Sequence, residues 1–297
     1  MPFLVLLLIA VGAGLGAAFL ARRYPQSTAA AQVVEAAREA GEHTGPAGQR
    51  AVRSARRDPE KATGLALTLA LLVILVGGVV LALLAVVVRS SDLLSGLDSS
   101  VAEWGDRHAS AWTHDALTLV TDLGETVTVV AVAVVVAIVD FRRTRNRWTA
   151  LFLLTVILGD KLLTEAIKQL VDRARPTIEA VAATLGPSFP SGHTSTAAAS
   201  WAAFALVASR WWGRRSWPAL TGLAVGIAVG VACSRVFLDV HWLTDVLAGL
   251  ALGWAWFAAC AIAFGGRLLR FGATAEAAGQ GDPQPEASPA LRSRSRS

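Results

Sequence analysis

The sequence predicts an all-α polytopic transmembrane helix bundle, and three observations carry that prediction. Of 297 residues, 54% are hydrophobic and 16% charged, an apolar excess over ordinary soluble domains. The apolar residues gather into seven runs, at about 3–20, 64–88, 120–140, 148–168, 194–209, 217–236 and 243–264. Each run is near the ~20 residues that cross a bilayer core. Backbone groups in hydrocarbon must be paired within the segment, so each run is read as a helix. The third observation is where the positive charge lies. Segments 21–62, 142–147, 210–215 and 265–297 hold 20 of the 27 Lys and Arg residues, as cytoplasmic segments do. The net charge of +5 therefore sets orientation, and no nucleic-acid partner is expected.

The first run ends at Arg22-Arg23 and has no basic start before its apolar core. It reads as a retained helix with its N-terminus outside rather than a cleaved leader. Residues 27–62 are Ala-rich and charged and are broken by Gly45-Pro46. They read as a cytoplasmic linker with a short helix around 28–40 and a solvated His43. Asp58-Pro59 then starts the next helix, Asp58 as N-cap and Pro59 in the first turn. Residues 89–119 carry Asp92, Asp98, Glu103 and Asp106 with Trp104 and Trp112, the pattern of short amphipathic helices at the outer interface. His108 and His114 read as exposed interfacial residues.

Asp122 and Glu125 interrupt the start of the third run, whose secure core is Val127–Val139. Phe141 to Trp148 is an Arg-rich cytoplasmic hairpin. The fourth run carries Lys161, Glu165 and Lys168 on one helical face, a ladder that holds Lys168 in place. Cys233 and Cys260 lie near opposite ends of successive helices and read as packing residues, not a disulfide. After residue 272 the chain is polar and rich in Gly and Pro, closing on alternating Arg and Ser, the composition of a disordered tail. Its arginines suit anionic inner-leaflet lipid.

Three polar strings stand apart from this apolar background. Lys168 precedes Arg175-Pro176; Pro190-Ser191-Gly192-His193 follows; Ser234-Arg235 leads to His241 and Asp245. The first two share one loop. Two crossings, 194–209 and 217–233, return the chain to the same side before the third. The inferred site is therefore extracytoplasmic, with the C-terminal tail cytoplasmic. Lys168, Arg175 and Arg235 supply the positive charge that a phosphoryl group needs on its equatorial oxygens. Ser191 reads as the N-cap of the following helix, with Gly192 allowing close backbone approach to an anion. His241 and Asp245, four residues apart, share a face at the head of the last helix. A carboxylate on one imidazole nitrogen leaves the other as a nucleophile. Asp245 as a plain helix cap is the alternative. No carboxylate set completes a metal site around the histidines.

In order and spacing these strings resemble the signature of the type 2 phosphatidic acid phosphatase superfamily, and the text from Ser234 to Trp242 is similar to that family too. The resemblance spans roughly residues 90–265. It implies a six-helix phosphatase core with one additional N-terminal transmembrane helix: residues 1–24 for the extra helix, 25–62 for the linker, 63–266 for the lipid phosphatase domain and 267–297 for the tail. It also implies roles. His241 is the nucleophile and Asp245 its partner; His193 protonates the leaving oxygen; Lys168, Arg175, Ser191, Gly192 and Arg235 bind the phosphate. No metal or cofactor is implied, and the partner is a lipid phosphate in the plasma membrane, such as phosphatidate, phosphatidylglycerophosphate or an isoprenoid pyrophosphate. Phosphotransfer to a lipid hydroxyl, or a non-catalytic lipid transporter, are the alternatives.

Overall fold

The computed structural model describes residues 2–23, 77–79, 83, 85–86, 92–108, 110–176 and 186–277. Among these no strand occurs, and the helices are α1 (Pro2–Arg23), α2 (Asp92–Arg107), α3 (Ala111–Thr121), α4 (Thr126–Thr144), α5 (Trp148–Val171), α6 (Gly192–Trp212), α7 (Trp217–Phe237) and α8 (Leu243–Ala277). The described residues of the 64–88 run are helical, and Ala85 packs with Phe189, Ala248 and Leu252. The expected linker helix at 28–40, the Asp58-Pro59 start and the tail beyond 277 lie outside the described residues.

The core forms around α6, whose small residues let neighbours approach closely. Ala197, Ala198, Ala199 and Ala203 are buried along it. Val129 and Ala133 from α4, Phe152, Leu153 and Val156 from α5, Phe204 and Val207 from α6, and Cys260 from α8 make the main apolar cluster. Backbone contact sets the sequence here: a Cβ on Gly249 would sit 2.7 Å from the Ser191 carbonyl oxygen, and one on Gly253 would collide with that of Ser195. Outward faces are apolar instead, with Leu8, Leu15 and Phe19 on α1, Val134 and Val135 on α4, and Leu154 and Leu162 on α5 exposed. In water such surface would be costly; facing lipid it is matched.

Pro2–Arg22, Trp217–Phe237 and Leu243–Phe264 are long and apolar enough to cross a membrane, and α3 with α4 forms a fourth candidate bent by 49°. The bend corrects the reading of 120–140 as one run. A short 3-10 turn, Asp122–Gly124, follows α3, and Glu125 stands extended before α4. Helices α5 and α6 span similar lengths, 24 and 21 residues, but carry the charged and hydroxyl residues of the site. Buried carboxylates join them. Asp160 of α5 accepts from the Ser195 and Thr196 hydroxyls of α6. Toward the other end, Asp140 of α4 accepts from Thr149 Oγ1 at 2.6 Å and Trp211 Nε1 at 2.9 Å. The Arg-rich hairpin there is as tight as expected, Arg145 ending α4 at φ 55°.

Asp98 departs from expectation. The sequence places it among interfacial residues, yet it is 1% exposed. It accepts from the Thr244 N–H at 3.0 Å and the Thr244 hydroxyl at 2.7 Å, which docks α2 onto the start of α8. His108 and His114 are exposed, and Cys233 and Cys260 are free.

Candidate active site

Five separated segments meet at one end of the bundle around a cavity of about 200 Å³. Lys168, Arg175, Gly192, His193, Arg235 and His241 all line it. Ser191 and Asp245 do not: each stands one layer behind. Ser191 occupies the N-cap position of α6, but its hydroxyl makes no capping bond and pairs instead with Thr194 Oγ1 at 2.9 Å. Its N–H donates to the Asp245 carbonyl at 3.0 Å, tying the second string to the third.

His241 sits in the turn between α7 and α8, not on a helix face. Asp239 reverses the chain at φ 58°, and the N–H groups of Val240 and His241 both reach the Arg235 carbonyl at 3.3 Å. The imidazole is 2% exposed. Arg175 Nη1 lies 3.1 Å from Nε2, and guanidinium only donates, so Nε2 is the unprotonated nitrogen and the proton resides on Nδ1. That nitrogen faces Asp245 Oδ2 at 3.5 Å, beyond good hydrogen-bond geometry. The direct bond expected from the spacing is therefore not made. The reason is that Asp245 already accepts from Arg173 Nη1 at 2.6 Å and from the Trp242 N–H at 3.0 Å. The second contact caps α8, so Asp245 is both a helix cap and the carboxylate beside His241. Burial pushes the His241 imidazole down to about 4, against the opposing pull of Asp245.

Arg175 is held as firmly. Its Nε donates to the Gly186 carbonyl at 2.8 Å and its Nη1 to that of Val240 at 2.7 Å; burial lowers its pKa from the usual value. Arg235 reaches Thr121 Oγ1 at 3.2 Å, while its buried Nε has no hydrogen-bond partner. An unpaired buried donor at the mouth of an anion site is poised to meet a ligand oxygen. Lys168 pairs with Glu165 at 3.6 Å. Lys161 reaches Thr126 Oγ1 at 3.5 Å. Both Lys161 and Glu165 line the cavity, so Lys168 is not alone there on its helix.

Two residues escaped the sequence reading. Arg173 bridges Asp245 and Asp98, the latter at 2.8 Å, and stacks over Trp242 with its Cζ 5.6 Å from the ring centroid. Its signal was an arginine lying, with Arg89 and Arg107, against the charge bias and outside the three strings. Glu125 Oε2 lies 2.8 Å from His193 Nε2, so His193 does have a carboxylate partner, 68 residues away in sequence. Its signal was a charge interrupting an apolar run. Among the described residues no group of three or more His, Cys, Asp or Glu side chains is arranged to hold a metal ion.

A cationic, histidine-bearing pocket at one end of a membrane helix bundle defines a membrane protein built around an anion site. The chain matches the PAP2 superfamily over residues 149–268. It is 30% identical over 165 residues to phosphatidylglycerophosphatase B of Bacillus subtilis, covering 55% of this chain and 81% of that protein. It is 32% identical over 120 residues to a lipid A 1-phosphatase of Rhizobium johnstonii, covering 37% of this chain and 45% of the relative. The crystal structure of a transmembrane PAP2-type phosphatidylglycerolphosphate phosphatase from Bacillus subtilis superposes with a TM-score of 0.61 at 27% identity, over 66% of this chain and 98% of that one. The chain belongs to the PAP2 superfamily and is a multi-pass membrane protein.

Proposed function

We propose that this protein hydrolyses the phosphate ester or anhydride of a membrane lipid through a phosphohistidine on His241. The observation that carries the reading is the lone pair of His241 Nε2, which points at a cavity lined by Lys168, Arg175 and Arg235. Arg175 holds that lone pair in the ligand-free protein. A phosphoryl group entering the cavity offers its oxygens to Arg175 as better acceptors, which frees Nε2 for in-line attack. Lys168, Arg235 and the free N–H groups at the start of α6 neutralise the remaining oxygens. Asp245, with Arg173 behind it, stabilises the cation that forms on His241. His193 protonates the leaving lipid oxygen and then takes a proton from water in the second step. Three cationic side chains supply the charge, so a metal ion is not required.

The relatives support a lipid phosphate as the substrate class. The cavity's place at one end of a bundle of membrane helices supports it as well, since a lipid headgroup sits at the end of such a bundle while its tails stay in the bilayer.

Purified protein should release inorganic phosphate from a panel of lipid phosphates, equally with and without chelator. Rapid-quench mass spectrometry should find the phosphoryl group on His241, and His241→Ala should abolish both trapping and turnover. A phosphoryl group on His193, or activity lost to chelator and restored by zinc or magnesium, would overturn the mechanism.

A further inference from the structure

The fold spends a helix break on bringing Glu125 to His193. Between α3 and α4 the chain leaves helical geometry, and the break is clamped onto α6 at three points. The Trp201 indole of α6 donates to the Leu123 carbonyl at 2.9 Å. A Cβ on Gly124 would stand 2.6 Å from the His193 carbonyl oxygen and 2.8 Å from Val231 Cγ1, so only glycine lets the break lie this close. Glu125 Oε2 then meets His193 Nε2 at 2.8 Å. Within a bilayer a broken helix leaves backbone groups to be satisfied elsewhere, and such breaks occur where they face a cavity. Gly124, Glu125 and Thr126 all line this one.

The surroundings show what the carboxylate does there. His193 faces Arg235 from α7 and Lys161 from α5, and Lys168 and Arg175 line the same cavity. It also stands at the positive end of the α6 dipole. Every one of these opposes a second proton on the imidazole. Glu165, the other carboxylate lining the cavity, is paired with Lys168. Glu125 is therefore the counter-charge in hydrogen-bond contact with His193.

We propose that Glu125 is the positioning residue for the general acid: it fixes the His193 ring through Nε2–H and supplies the counter-charge that the proton on His193 needs among the surrounding cations. This rests on the reading above, in which His193 protonates the leaving oxygen. In the first step His241 Nε2 forms a bond to phosphorus and the P–O bond to the lipid breaks. The electron pair goes to the lipid oxygen, which takes the proton from His193 Nδ1. His193 is left neutral, its Nε2–H still on Glu125. In the second step a water oxygen attacks phosphorus, its proton passes to His193 Nδ1, and the P–N pair returns to His241. Glu125 stays a carboxylate throughout.

The test uses the full chain in detergent, with ring nitrogens labelled and the five histidines assigned by single His→Gln substitutions. In Glu125→Gln, which keeps size and a hydrogen-bonding group, the midpoint of the His193 titration should move to lower pH by about one unit. Glu125→Asp should restore most of the shift. A midpoint unchanged in Glu125→Gln overturns the proposal whether or not the protein turns over. In kinetics, Glu125→Ala should slow an alkyl phosphate lipid about 10²-fold, the low end for general acid catalysis, and an activated aryl phosphate less than about twofold. In a His193→Ala background Glu125→Ala should cost nothing further; an undiminished loss there assigns Glu125 another role and overturns the proposal. Absence of phosphate release by the wild type would overturn the function reading and the general-acid role with it. The titration would then still report whether Glu125 governs the charge on His193.

Discussion

At the scale of single residues, the proposed chemistry requires a neutral His241 lying beneath Arg175. Burial lowers this imidazole to about 4, below the ~6.5 of an exposed histidine. The sign follows: the nucleophile is neutral above pH 4 and is lost only as pH falls through that value. The acid limb that His241 contributes to kcat/KM, which reports the free enzyme, should therefore lie near pH 4 once the substrate's own ionisation is subtracted. A limb near 6.5 that remains after this correction would mean the imidazole is solvated. Arg173 gives the second residue-scale prediction. It is the counter-ion of both Asp98 and Asp245, whose side chains are almost fully buried. Removing one partner of a buried pair costs about 3–5 kcal/mol because a charge is left unmatched. Arg173→Ala should lower the thermal midpoint by well over the effect of an exposed Arg142→Ala, and should reduce turnover through a displaced Asp245. Equal midpoints for the two variants would show that the network carries no stability.

At the scale of elements, close crossings of small residues hold the bundle, and α1 shows it most plainly. A Cβ on Gly14 would meet the Gly222 carbonyl oxygen at 2.7 Å, and one on Gly222 the Gly14 oxygen at 2.6 Å. Gly222, Gly226 and Gly230 repeat every fourth residue along α7, the spacing that lets two membrane helices approach backbone to backbone. Gly14→Leu should detach α1 and lower the thermal midpoint, while kcat stays within about twofold because α1 does not line the cavity; a loss of kcat matching a His241 variant would show that α1 sets the position of Arg235. Helix existence was legible from apolar runs: α7 runs Trp217–Phe237 against an expected 217–236. The cation and histidine set was legible too, because charge inside an apolar chain is conspicuous. Pairings across long sequence separations were not. Nothing near Glu125 names His193, and nothing near Arg173 names Asp98, 75 residues away. The His241–Asp245 spacing suggested a direct bond because helical periodicity was extended two residues too far upstream. The real turn at Asp239 gives Asp245 to Arg173 and the cap instead.

At the scale of the whole molecule, one end of the bundle holds the cavity and the other holds the Arg-rich hairpin between α4 and α5. The two ends differ in what their charges meet. At the cavity end Arg173 is bound to buried carboxylates and Arg175 largely to loop carbonyls, partners that hold cations against the usual bias. At the hairpin end Arg210 also pairs with a buried carboxylate, Asp140, but Arg142 and Arg147 are exposed, where they can meet anionic lipid headgroups. An excess of Lys and Arg marks cytoplasmic segments, and the hairpin from Phe141 to Trp148 carries four arginines, so the hairpin should be cytoplasmic and the cavity extracytoplasmic. In a Cys233→Ala, Cys260→Ala background, a cysteine at position 108, in the exposed turn after α2, should react with an impermeant thiol reagent in intact cells. One at position 142 should react only after permeabilisation. Each variant should also retain phosphate release, which shows that the labelled population is folded. The reverse pattern would place the cavity at the inner leaflet, and the substrate would then have to be a lipid phosphate presented on the cytoplasmic face.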